Sequence, residues 1–344
     1  MRTIRISGGL AAGILTLGLL TAPSASAQPP STCNFLTATF VGTDGVDNIS
    51  GTPGPDVISA GAGNDTINGL GGNDVICPGA GNDTVNGGAG DDLVVSDSTR
   101  DGADVVNGGP GEDMARYSAR VTAMNISLDG VANDGETGEG DNIRTDVEDV
   151  AGSSGSNVIT GNDQKNFLVG GFGDNTISAG AGDDEISGGG SAGRNNTLRG
   201  GLGNDFILGG NGNDLSIAEP GPDGADIFDG SFGIDTASYG LRTTSVFVSL
   251  DGVANDGSQG EGDDIRVDTE NITGGSGGDV LQVFGASGPN GRVADNVLRG
   301  GAGQDIIDVR DLPFTSHDAV DGGLDFDICH LDPQFDIQIN CELL

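Results

Sequence analysis

From Gly42 to Val95 the chain runs through six units of nine residues without losing register. Each unit approximates glycine, glycine, any residue, glycine, asparagine or aspartate, aspartate, any residue, an aliphatic, any residue. The sixth positions are Asp47, Asp56, Asp65, Asp74, Asp83 and Asp92, and the eighth are Ile49, Ile58, Ile67, Ile76, Val85 and Val94. A fixed short period specifies stacked coils rather than a globular domain around one compact core. Each unit joins a glycine-rich turn to a short strand, so two units are expected to close one coil. Aspartates two units apart then lie above one another on the same edge, at a strand spacing of roughly 4.8 Å. Carboxylates stacked so closely cannot remain ionised without a cation between them. Calcium is the first expectation, because it takes six to eight oxygens, and glycine permits the positive φ that aims backbone carbonyls inward.

Near-complete units recur at Gly87-Gly88-Ala89-Gly90-Asp91-Asp92-Leu93-Val94-Val95, Gly200-Gly201-Leu202-Gly203-Asn204-Asp205-Phe206-Ile207-Leu208 and Gly300-Gly301-Ala302-Gly303-Gln304-Asp305-Ile306-Ile307-Asp308. This pattern resembles the RTX (hemolysin-type) calcium-binding repeat, G-G-x-G-x-D-x-U-x with U aliphatic. The resemblance implies an all-β fold, a right-handed parallel β-roll with Ca2+ ions held between successive turns. It also implies that the sixth-position aspartate supplies carboxylate oxygens and the turn glycines supply carbonyls.

Composition agrees with conditional order. The chain has 65 glycines, no tryptophan, 4% aromatic residues and a formal charge of −38. Low hydrophobicity with high net charge ordinarily keeps a chain disordered, but the aliphatic residues here are regularly spaced. Roughly one core aliphatic per nine residues cannot offset a backbone entropy of about 1 kcal/mol or more per residue. Bound ions are therefore expected to contribute to folding. Such acidity disfavours nucleic acid and anionic membranes as partners, since both need cationic neutralisation.

Arg2 and Arg5, the apolar stretch Leu10 to Leu20, and Ala25-Ser26-Ala27 before Gln28 read as a cleavable secretory signal. Secretion is the expected location, and the apolar run is too short to anchor the chain across a membrane. The large toxins and proteases with these repeats carry an uncleaved C-terminal export signal instead, so a toxin role is not carried over. Four cysteines in an exported chain suggest two disulfides. Three connectivities are open, and Cys33–Cys77 with Cys329–Cys341 is favoured because it staples both ends of a stack, where exposed edges invite pairing.

The organisation expected is a signal over 1–27, an entry segment over 28–41, roll blocks over 42–116, 152–238 and 274–330, inserts over 117–151 and 239–273, and a cap over 331–344. The inserts are homologous: Asp113 to Gly155 matches Asp235 to Gly277 without a gap, at an offset of roughly 122 residues. They are expected to leave the stack as strand and acidic loop, rejoining near Ile143 and Ile265. The loop acids Asp129, Asp134, Glu139 and Asp141 are oxygen donors, but their spacing is not that of an EF-hand. A separate calcium site and a solvated acidic turn both remain open there.

Beyond the first six, charged sixth positions are Asp104, Asp113, Asp184, Asp205, Asp214, Asp226, Asp235, Asp279, Asp305, Asp318 and Asp327. All are candidate metal ligands. Asn157, Asn166 and Asn175 keep an oxygen but lose the charge, so a calcium-poor patch is expected there, with further gaps at Asn196 and Asn296. Affinities of about 10⁻⁴ to 10⁻³ M suit an extracellular module. No H-E-x-x-H motif occurs, and the chain reads as lacking a G-x-S-x-G nucleophile elbow, so no enzymatic activity is expected. The function expected is a secreted calcium-binding protein that orders on binding several ions. The alternative is an adhesion or matrix protein whose stiffened roll meets a cell-surface partner.

Overall fold

A computed structural model describes residues 32–191, 193–283, 287–288, 292–293, 295–310, 316–332 and 336–342. The signal segment expected over 1–27 lies outside them. Every regular element among the described residues is a β-strand, and the stacked strands are parallel. The chain forms the parallel β-roll. No helix among these residues is long and apolar enough to cross a membrane.

Two units do close one coil. Asn48, Ile49 and Ser50 stand in register with Thr66, Ile67 and Asn68, and Val57–Ser59 with Val75–Cys77. The alternation of the strand puts the eighth-position aliphatics inside: Ile58, Ile67, Ile76 and Val85 are fully buried. Turn glycines carry the close approach of one coil to the next. Gly81 has φ +144°, and a β-carbon there would overlap the carbonyl oxygen of Gly63.

The inserts do more than leave and rejoin the stack. After Val105–Asn107 and Met114–Arg116 the chain adds Asn125–Ser127, which pairs with neither. The next strands, Asn142–Ile143, Asp149–Ala151 and Val158–Thr160, then settle on these three in turn. For this one circuit the coil has three faces. Asn142–Ile143 is the last strand of the sheet that began at Asn48–Ser50, and Asn125–Ser127 is the first of a new ten-stranded sheet. From there the chain alternates between the new sheet and the eleven-stranded sheet it had already been building. The second insert repeats the exchange. Asp264–Ile265 closes the eleven-stranded sheet, and Val246–Ser249 opens a fourth, continued by Val280–Gln282. Each insert thus retires one face of the roll and starts another, while the core stays continuous from Ile58 to Cys329.

Both disulfides of the favoured connectivity are formed, Cys33–Cys77 and Cys329–Cys341. The first ties the hairpin of Thr32–Cys33 and Leu36–Thr37 to the strand Val75–Cys77.

Candidate metal sites between the turns

Apart from the half-buried Asp47 and Asp226, the edge aspartates are buried, and a ladder of backbone hydrogen bonds explains how. Along each edge the amide of a sixth-position aspartate typically donates to the carboxylate Oδ1 of its counterpart one coil further on. Asp47 N–H meets Asp65 Oδ1 at 2.8 Å, Asp65 N–H meets Asp83 at 2.7 Å, and Asp83 N–H meets Asp104 at 2.9 Å. The other edge repeats this from Asp56 through Asp74 and Asp92 to Asp113. Later ladders run from Asp184 through Asp205 to Asp226, from Asp214 to Asp235, and from Asp279 through Asp305 to Asp327.

One oxygen of each carboxylate is thereby satisfied. The second is not: Oδ2 of Asp65, Asp74, Asp83, Asp92, Asp113, Asp184, Asp205, Asp214, Asp235, Asp305 and Asp327 is buried without a hydrogen-bond partner. These orphans do not point into empty core. A methyl group placed on Gly209 would lie 2.7 Å from Gly230 O and 2.8 Å from Asp214 Oδ2. Two acceptors aimed at one point need a cation or a donor between them. Among the described residues no three His, Cys, Asp or Glu side chains gather into a metal-binding group. An ion here would draw on single carboxylates and turn carbonyls, the oxygen-rich donor set that calcium favours.

The asparagine turns show the same position filled. Asn157 Nδ2 donates to Gly155 O at 2.9 Å and to Gly170 O at 2.7 Å. Asn175 Nδ2 donates to Gly173 O and Gly188 O, both at 3.0 Å. Asn196 Nδ2 reaches Gly209 O at 3.2 Å. An amide nitrogen stands in for the cation, and the turn closes without one.

The remaining aspartates divide. Oδ2 of Asp47 and of Asp56 accepts from the amides of Thr43 and Thr52, at 2.6 Å each, and from their hydroxyls. Asp279 accepts from Val246 N–H and Gly275 N–H. Asp318 accepts from Asn296 N–H and from the Ser316 hydroxyl. Asp104 and Asp226 pass the ladder on to Asp141 and Asp263.

Sequence reasoning missed these last two as ladder residues, together with Glu148, Glu270, Asp336 and Glu342, which accept from Asp113, Asp235, Asp318 and Asp327. They fall outside the nonapeptide register. It also missed Arg120 and Arg242, both fully buried. Arg120 binds Asp101 and both oxygens of Glu139, and Arg242 binds Asp223 at 2.5 Å and Glu261 at 2.7 Å. Each guanidinium lies over a tyrosine, Tyr117 or Tyr239, whose hydroxyl donates to Asp141 or Asp263. A signal was present: these are the only two tyrosines in the chain, and both sit three residues before an arginine.

Within the acidic insert loop Asp134, Glu139 and Asp141 are buried, whereas Asp129 is exposed. Asp134 accepts from Ser127 N–H and Ile143 N–H, and Glu139 is held by Arg120. Two segments do spell G-x-S-x-G, Gly189 to Gly193 and Gly274 to Gly278, which corrects the earlier reading. Among the described residues no helix follows either of them, and Ser276 is spent on the Arg242 carbonyl.

Burial, followed by repulsion from neighbouring acids against the relief of the ladder bond, raises several edge carboxyls. Asp83 and Asp113 are pushed up to about 7, and Asp104, Asp226 and Asp235 to about 8. An unfolded aspartate titrates near ~3.9. Between that value and about 8 the metal-free folded state holds protons that the unfolded chain has released, so its stability falls as pH rises. In metal-free buffer the β-sheet circular dichroism is expected to be stronger at pH 5 than at pH 8. Calcium would compete with the same protons, so its apparent affinity is expected to weaken as pH falls from 8 to 5. A β-sheet signal with the opposite order would show that the edges are not packed as described.

A family model for the RTX calcium-binding nonapeptide repeat matches residues 41–76, 79–101, 145–177, 160–193, 191–223 and 290–310. No curated protein matches the chain.

Proposed function

We propose, for a chain that belongs to the RTX calcium-binding nonapeptide repeat family, that it is exported and orders outside the cell by taking calcium into its turns. The buried, partnerless Oδ2 row carries this reading. Calcium supplies the positive charge and the coordination that these oxygens lack. Asp65, Asp74, Asp83, Asp92, Asp113, Asp184, Asp205, Asp214, Asp235, Asp305 and Asp327 would hold the ions, with turn carbonyls completing each site. Asp104 and Asp226 lie on the same edges. Asp47, Asp56, Asp279 and Asp318 already have protein donors and would bind less tightly.

The test is a difference between turns. Replacing Asp65 and Asp83 together by alanine should remove ions and weaken calcium binding about tenfold or more, in keeping with the dependence of affinity on ligand charge. Replacing Asn157 and Asn175 should leave the ion count unchanged, although the roll loses stability there. Equal loss of calcium from both variants, measured by titration calorimetry with ion analysis, would contradict the assignment.

A further inference from the structure

The junctions hold their two edges in different ways. On one edge the chain brings its own cation: around Arg120, both oxygens of Asp101, Asp134, Glu139 and Asp141 have partners. On the other edge of the first insert, among the described residues, no arginine or lysine side chain is paired with Asp113, Asp146 or Glu148. There Asp113 passes its amide to Glu148 Oε2 at 2.9 Å, and Gly109 N–H donates to Asp146 Oδ2 at 3.1 Å. Asp113 Oδ2 and Asp146 Oδ1 are both buried and partnerless, and Asp113 is 2% exposed. A β-carbon added to Gly108 would run into Asp146 O and Asp113 Oδ2 at once. The gap is the same one seen between ordinary turns, except that Asp146 stands where the next coil would offer a glycine.

The second insert repeats it. Asp235 N–H meets Glu270 Oε2 at 2.8 Å, and Ser231 N–H meets Asp268 Oδ2 at 3.2 Å. Asp235 Oδ2 and Asp268 Oδ1 are orphaned again. Two copies far apart in the chain thus keep the same unmatched oxygens.

We infer that each insert carries a divalent-cation site richer in charge than the nonapeptide turns, built from Asp113 and Asp146 beside Glu148, and from Asp235 and Asp268 beside Glu270. This rests on the calcium reading above. An ordinary turn sets one orphaned carboxylate oxygen against glycine carbonyls. A junction sets two, its glutamate taking the ladder position that the next aspartate holds in an ordinary turn. Affinity for calcium rises with the number of charged ligands, so these sites fill first.

Calcium titration of the full chain, with bound ions counted after dialysis, tests it. The wild-type chain is expected to show a tighter class of two ions per molecule. In the Asp146→Asn, Asp268→Asn double variant that class should weaken about tenfold or disappear, while the remaining sites fill as before. Circular dichroism in saturating calcium checks the fold. Should the double variant fail to order, each single variant must still lose one tight ion. An unchanged isotherm in the variants, with Asp65→Asn still weakening binding, would overturn the inference and leave the wider function standing. Absence of calcium binding by the wild-type chain would overturn both.

Discussion

Stripped of divalent ions at neutral pH, the full chain is expected to lose most of its β-sheet circular dichroism and to expand, and millimolar calcium should restore both. The balance of energies requires it. Each buried acceptor without a partner costs about 1–3 kcal/mol, and eleven such oxygens belong to the sixth-position aspartates alone. Their combined penalty, on the order of 10–30 kcal/mol, matches or exceeds the ~5–15 kcal/mol by which native domains are stable. The core cannot compensate, because each coil buries only a pair of aliphatics such as Ile67 and Ile76. A radius of gyration rising toward the ~65 Å of an unfolded chain of this length would accompany the spectral change. A metal-free chain with the spectrum and radius of the calcium-loaded one would refute coupling between ion binding and folding.

Much of this was legible before any coordinates, for a physical reason. A strict period leaves one way to stack, so the register of Asn48 with Thr66 and the inward aliphatics follow from counting. The asparagine patch was legible as a loss of charge. Its mechanism was not, because only geometry shows Asn157 Nδ2 taking the position between two carbonyls. The inserts were the hard part. Their strands pair across 37, 35 and 33 residues, as in Val105 with Asn142, Met114 with Asp149 and Asn125 with Val158. No local repeat announces such separations, so the exchange of sheets stayed invisible. Arg120 was overlooked because a lone arginine among acids reads as a surface ion pair, and only the three-faced circuit buries it.

That burial sets the second large effect. Arg120 is enclosed with Asp101 and Glu139, each with a side chain 0% exposed. Burial raises the Glu139 carboxyl, but the Glu136 amide and the guanidinium outweigh it and hold Glu139 below the usual carboxylate range. Removing one partner from such a group leaves uncompensated charge in the interior, which costs about 3–5 kcal/mol. Arg120→Ala is therefore expected to unfold the first junction even in saturating calcium, and Arg242→Ala the second. Tyr117→Phe, which deletes only the hydroxyl on Asp141, should cost about 1–3 kcal/mol and leave the junction formed. Hydrogen exchange resolves these outcomes: protection should vanish across residues 96–151 in Arg120→Ala and survive beyond the second insert. Calcium cannot rescue that variant, because the oxygens released from the arginine are arranged around a planar fork of donors and not around an ion. Wild-type protection across residues 96–151 in Arg120→Ala would mean that calcium alone holds the three-faced circuit together.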